Sequence, residues 1–198
     1  MISSADVPTK FTWEKNFATD MTYSGVLKKH QVSAQGFDAT KGLGQNTANS
    51  TTASLVPCPP SAANMRLTFR GQFGSFTTTA NSNFGMFFRT TALEDITTPD
   101  NDGYYVRVVN GQARITRCTD ATRTDLTTSA FPCVADEVVE IVVTLTGSAI
   151  HATFENQTSN PGVLVTLTAT DSTYTYGFVG FRSLAATIWC RYFKVEEL

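Results

Sequence analysis

Apolar side chains recur at every second position along most of the chain from Met65 onward, the period of a strand with one buried face. Val139, Ile141, Val143 and Leu145 alternate with Glu140 and Thr144, and Ile150, Ala152 and Phe154 alternate with His151, Thr153 and Glu155. Gly147-Ser148 between the two runs predicts a turn. Leu67, Phe69 and Gly71 share one face of Arg66–Phe73; Phe84, Met86 and Phe88 share one face of the next run, with Phe87 and Arg89 opposite. Tyr104–Val109 and Gln112–Arg117 flank Asn110-Gly111, a pair that closes two-residue hairpins because both residues accept positive φ. Val163–Ala169, Tyr176–Ser183 and Thr187–Val195 complete the series, and a short strand near Ala53–Val56 runs into a loop holding Pro57, Pro59 and Pro60. No segment carries an apolar stripe at helical spacing with caps. The pattern predicts an all-β, antiparallel two-sheet β-sandwich of about a dozen strands, with little or no helix.

Composition agrees with strands and narrows the function. The 198 residues include 32 Thr, 14 Phe and 6 Tyr, types that suit a pleated, half-solvated surface. Charged residues make up 16%, against about 25% in an ordinary domain. The net charge is −2 and no Lys/Arg-rich run occurs, which argues against a nucleic-acid partner, since gripping phosphates needs a basic stripe. No run approaches the ~18 apolar residues of a membrane span. Residues 1–10 read as a polar N-terminal arm and 11–198 as one domain. Met1–Lys10 lacks a charged n-region followed by an apolar h-region, so no signal peptide is expected. A threonine-rich surface without that signal points to an extracellular protein or a virion-surface component.

Four cysteines occur, Cys58, Cys118, Cys133 and Cys190, and four allow three pairings. Cys118 and Cys133 flank what reads as a hairpin connection, and a bridge there would contribute about 3 kcal/mol on the entropic account. The competing reading is four small buried hydrophobes. No CxxC occurs and His30 and His151 stand apart, so zinc is not expected.

The order of motifs resembles the concanavalin-A-like superfamily, in particular its laminin-G-like members. The matching residues are Asn83-Phe84-Gly85-Met86-Phe87-Phe88-Arg89, then Gly103–Val108, Asn110-Gly111, Val139–Leu145, Phe154-Glu155-Asn156 and Tyr176–Ser183, with Phe193-Lys194-Val195 as a closing strand. Upstream, Gly36-Phe37-Asp38, Leu43 and Thr52–Leu55 fit the first strands. The resemblance covers about residues 11–198 and implies a jelly roll of two curved sheets, whose members bind glycans, bind proteins or cleave polysaccharides. A shared fold does not choose among these.

The candidate chemistry is sparse. Retaining hydrolysis needs two carboxylates about 5–5.5 Å apart. Glu137 and Glu140 are three residues apart and fall on opposite faces of a strand. A lyase would need a proton-abstracting group in its groove, and Arg89, Arg107, Tyr105 and His151 are the candidates. Phe87, Arg89, Tyr105, Arg107 and Arg182 are expected to share an exposed sheet face, where arginine forks pair with carboxylates and aromatic rings stack on sugars. The alternative is that these arginines solvate a sheet. Asp100 and Asp102 in Asp100-Asn101-Asp102-Gly103 offer calcium ligands, although the same residues suit a turn. Asn49-Ser50-Thr51 and Asn156-Gln157-Thr158 are glycosylation sequons. The expected function is a non-catalytic recognition or assembly module with a glycan or protein partner, capsid proteins included, and homo-oligomers allowed. A polysaccharide-active lyase or hydrolase and an intracellular scaffold domain are the alternatives.

Overall fold

The computed structural model describes residues 12–16, 28–30, 37–38, 42–46, 51–56, 64–76, 83–90, 102–184 and 186–198. Fifteen strands are found among them. The first five are β1 (Thr12–Asn16), β2 (Lys28–His30), β3 (Phe37–Asp38), β4 (Gly42–Asn46) and β5 (Thr51–Val56). Then come β6 (Met65–Phe76), β7 (Asn83–Thr90), β8 (Gly103–Val109), β9 (Gln112–Thr119) and β10 (Thr122–Ala130). β11 (Val138–Thr146), β12 (Ala149–Asn156), β13 (Leu164–Thr170), β14 (Phe178–Leu184) and β15 (Ala186–Glu197) end the series. The polar arm, Cys58, Asp100 and Asn49 lie outside the described residues.

The strands form two antiparallel sheets. One has eight strands in the order β13-β12-β11-β6-β15-β4-β3, with β1 alongside β15 beyond β4. The other has seven, in the order β10-β9-β8-β7-β14-β5-β2. The alternation explains how they face each other. Leu67, Phe69, Val139, Ile141, Val143, Leu145, Ile150, Ala152 and Phe154 leave one sheet, and Phe84, Met86, Phe88, Tyr104, Val106, Val108 and Ile115 leave the other. All these side chains are buried. Phe69, Phe181 and Phe193 meet at the centre with ring centroids 5.4–6.5 Å apart, within the range in which tilted aromatic pairs attract.

Bulges keep this pattern in phase. β15 carries an irregularity between Cys190 and Tyr192, so its inward positions pass from Ile188 and Cys190 to Phe193 and Val195. One extra residue resets a period of two. Two sequence expectations change here. Cys118 and Cys133 do not flank a simple hairpin connection, because β10 lies between them. They are thiols rather than a bridge: Cys118 packs with Phe87 and Tyr105, while Cys133 packs against the main core. Burial pushes the Cys133 thiol up to about 12. The second concerns Asn156, whose side chain is 3% exposed and donates to Glu137 Oε2 at 2.7 Å. Its Oδ1 accepts from the Thr158 and Ser159 N–H groups, so this sequon is folded inward and closed to modification in the native state.

Polar bonds fasten the two sheets at one end. Tyr104 Oη donates to Asp171 Oδ1 at 2.6 Å and accepts from the Tyr174 N–H, and Arg117 reaches the other Asp171 oxygen at 2.7 Å. Burial alone would raise the Asp171 carboxyl, but the bonds from Tyr104 and Thr173 and the Arg117 charge outweigh it and hold it at about 2, below its ordinary 3.8. A depressed carboxylate stabilises the fold fully above its unfolded value and ceases to do so as pH falls through its folded value. That shift corresponds to roughly 2 kcal/mol at neutral pH. Asp171→Asn is therefore expected to lower urea-derived stability by about that amount at pH 7. The gap to the unmodified protein should close to about a few tenths of a kcal/mol near pH 2, as measured by parallel urea titrations.

Candidate functional site

Phe87, Arg89, Tyr105, Arg107 and Arg182 lie on or beside the outer face of the seven-stranded sheet, and over β7, β8 and β14 that face is not open. Phe87 (3% exposed), Tyr105 (5%), Arg107 (7%) and Arg182 (4%) are all buried. Strand pairing brings them together: Phe87 sits opposite Tyr105 on β8 and opposite Gly180 on β14, next to Arg182. Phe87, Tyr105 and Cys118 make a second apolar cluster, with Phe178 packed on it. The Arg182 guanidinium lies 4.8 Å from the centre of the Tyr105 ring, close enough for cation–π attraction. Arg107 donates to Thr116 Oγ1 at 3.2 Å and faces Asp125 at 3.5 Å. Asp125 also takes bonds from Thr116 at 2.7 Å and Arg114 at 2.6 Å. Burial, with Arg123 and Arg182 nearby, pulls the Arg107 guanidinium down to about 10 in spite of Asp125. These side chains are committed to one another.

Arg89 does not belong to this face. β7 advances three residues, Phe87 to Thr90, where β14 advances two, Phe178 to Gly180. Arg89 has φ +52 at this bulge, which re-aims its side chain. Its guanidinium, 1% exposed as a residue, donates to the Gly147 carbonyl at 2.6 Å and the Tyr174 carbonyl at 3.3 Å. It thereby ties β7 to the β11–β12 turn of the other sheet. Gly177 sits against the bulge, where a Cβ would come within 2.5 Å of the Arg89 carbonyl carbon. His151 is exposed on the eight-stranded sheet. The lyase set of Arg89, Arg107, Tyr105 and His151 is thus dispersed over three regions and does not converge.

Asp102 is also engaged locally, since its Oδ1 accepts the Asp120 N–H at 2.8 Å and shapes the β9–β10 turn. No group of three or more His, Cys, Asp or Glu is placed to hold a metal among the described residues. Glu137 and Glu140 point apart as expected: Glu137 is buried on Asn156 and the Val134 N–H, and Glu140 is on the outer sheet face with Arg70.

Among the described residues, an open concavity lies on the other sheet. A groove of about 620 Å³ crosses the outer face of the eight-stranded sheet over β15, β6, β11 and β12, with Asn16 of β1 at its side. Register builds it from three cross-strand rows. Glu196, Arg66, Thr144 and His151 form one row; Lys194, Thr68, Val142 and Thr153 the next; Tyr192, Arg70 and Glu140 the third. Arg70 Nε donates to Glu140 Oε2 at 2.9 Å, and its guanidinium stands 6.0 Å from the Tyr192 ring centre. Lys194 pairs with Glu196 at 2.7 Å, which raises its ammonium pKa. Tyr192 Oη donates to Glu14 at 3.3 Å; partial burial and then the Glu14 charge raise the phenol. A second hollow of about 390 Å³ shares Asn16, Arg70 and Tyr192.

The alternation of polar and apolar residues places Glu140, Thr144, His151 and Thr153 outward but does not bring them together with Arg66, Arg70, Tyr192 and Lys194. The usable signal was the polar half of each alternation. The order of strands, which joins β6 to β15 and β11, is not carried by any local pattern.

No family model matches the chain, and no curated protein matches it in sequence. Its fold is nonetheless shared with solved structures. The carbohydrate-binding module CBM66 from Bacillus subtilis superposes with TM-score 0.66 at 12% identity, over 86% of this chain and 95% of that one. The winged bean acidic lectin, complexed with methyl-α-D-galactose, gives 0.69 at 10% identity over 94% and 99%. The exoplasmic/lumenal domain of VIP36 in its Ca²⁺-bound form gives 0.66 at 7% identity over 92% and 88%. The architecture is therefore the concanavalin-A-like jelly-roll sandwich.

Because Phe87 is structural here, Phe87→Ala is expected to cost about 3 kcal/mol, the range for truncating a buried phenylalanine. A fall in the urea midpoint at unchanged slope checks this; an exposed docking residue would leave the midpoint in place.

Proposed function

We propose that this chain is a non-catalytic glycan-binding module whose contact surface is the groove on the eight-stranded sheet. The observation that carries the reading is the lining of that groove. Three rows place hydroxyl, guanidinium, ammonium and carboxylate groups beside one tyrosine ring. Sugars present vicinal hydroxyls, which such groups bond in pairs, and an apolar ring face, which a tyrosine can stack against. Neighbours in fold support the reading, since they include a carbohydrate-binding module and a lectin complexed with methyl-α-D-galactose. The carboxylates of the groove favour binding over bond cleavage. Glu140 and Glu196 stand in different cross-strand rows, and each is held by a cation, Glu140 by Arg70 and Glu196 by Lys194 at 2.7 Å.

A finer assignment, to the surface of a virion or similar particle, rests on the threonine-rich, charge-poor composition. Co-sedimentation with intact particles tests it separately.

An array of neutral and acidic oligosaccharides, followed by calorimetry on the best binder, tests the glycan reading. Tyr192→Ala and Arg70→Ala are each expected to weaken binding about tenfold, equivalent to roughly 1.4 kcal/mol. Arg114→Ala on the opposite sheet is expected to leave the affinity unchanged. An array without signal, or groove variants that bind as the parent does, would overturn the proposal.

A further inference from the structure

Among the described residues, each sheet ends in strands with one side of the ladder unpaired, and such edges invite another strand unless they are blunted. The two edges whose side chains are described differ sharply. β10, which ends the seven-stranded sheet, carries Arg123 and Asp125 and a register shift between Asp125 and Thr127. Charge and a bulge are standard protections of an edge. β13, which ends the eight-stranded sheet, has neither. Its ladder with β12 runs without a shift from Leu164 to Thr170. The stretch Val163–Thr170 contains no charged residue, proline or glycine. Val163 is 62% and Leu164 57% exposed at its start, and Thr166, Thr168 and Thr170 are exposed along it.

We infer that β13 is a pairing edge for a second copy of this chain, joined to it antiparallel about a two-fold axis. The strand is self-complementary. With the axis at Leu167, Thr166 meets Thr168 of the other copy and Leu164 meets Thr170, a set of cross-strand pairs that stabilises antiparallel ladders. No like charges are brought together within the strand. Pairing β10 in the same way would bring arginine and aspartate side chains into a bulged, irregular ladder. Antiparallel strand addition also satisfies outward backbone N–H and C=O groups on both copies at once, and a two-fold contact closes without growing into a fibre.

Sedimentation equilibrium of the full chain over a concentration series tests the inference. The weight-average mass is expected to rise from the monomer value of 21.5 kDa to twice that value as concentration increases. Thr166→Lys with Thr168→Lys sets ammonium groups opposite each other across the axis and is expected to leave a monomer of unchanged circular dichroism and thermal midpoint. Thr124→Lys with Thr128→Lys on β10 is the matched control and is expected to dimerise as the parent does. A parent that stays monomeric up to high-micromolar concentration overturns the inference. So does a dimer that survives the β13 substitutions, one that is lost only with the β10 pair, or a mass that climbs past two copies.

Discussion

The central strands β7 and β8 of the seven-stranded sheet are buried on both faces, and the placement of the polar groups follows from that constraint. Its inner face meets the aromatic core, while its outer face withdraws Phe87, Tyr105, Arg107 and Arg182 from water. A guanidinium taken out of solvent must be bonded or stacked, since an uncompensated buried charge costs several kcal/mol. The structure meets this demand locally. Arg182 lies over Tyr105, Arg107 is held by Thr116 and Asp125, and Arg89 is turned inward onto two carbonyls. Guanidinium groups buried in this way are withdrawn from solvent, and so from a ligand arriving at that face. The eight-stranded sheet, polar on its outer side, is then where an open concavity forms.

How far this was legible in the sequence can be judged from particular residues. Val139–Leu145 and Ile150–Phe154 showed their inward face directly, because apolar and polar residues alternate without a break. The Asn110-Gly111 turn was equally plain, and Asn110 and Gly111 have φ +43 and +81. β10 escapes the pattern: in Thr-Arg-Thr-Asp-Leu-Thr-Thr-Ser-Ala an edge strand half in water leaves almost no apolar period. Without an apolar period there, the Cys118–Cys133 interval reads as one connection. Parity puts Arg89 on the side of Phe87, and parity fails where a bulge inserts a residue. The alternation of β7 and β8 gave two faces correctly but could not say that the second was also covered, since burial of an aromatic–arginine face depends on what packs over it.

The groove was hidden for another reason. Arg70, Glu140 and Tyr192 become neighbours through pairings that span 70 and 122 positions, and no window of sequence contains them together. On the proposed glycan-binding reading, the selectivity of the assembled surface is chiefly electrostatic. Arg66, Arg70 and Lys194 face Glu140 and Glu196, with Glu14 beside them. A near balance of fixed charge in pairs leaves little net field to attract a polyanion, in contrast with the unopposed cations that a phosphate chain requires. Paired ions still offer unused lone pairs and N–H groups at fixed positions. Such a surface suits a neutral polyol better than a highly charged partner.

The rows of the groove do not stop at β12. His151 and Thr153 pair onward with Thr168 and Thr166 of β13, so the polar face runs without interruption to the edge of the sheet. If that edge is where two copies join, both grooves lie on one continuous sheet, related by the two-fold and facing the same side. Contacts to single sugars are weak because a shallow, wet surface removes little area from water and must order flexible side chains on binding. Two such surfaces held in a fixed relation turn the second encounter with a repeating polymer into an intramolecular one, which raises avidity without any new contact. The unprotected edge and the shallow groove are then parts of one solution: weak individual sites become useful when the fold itself supplies the pairing.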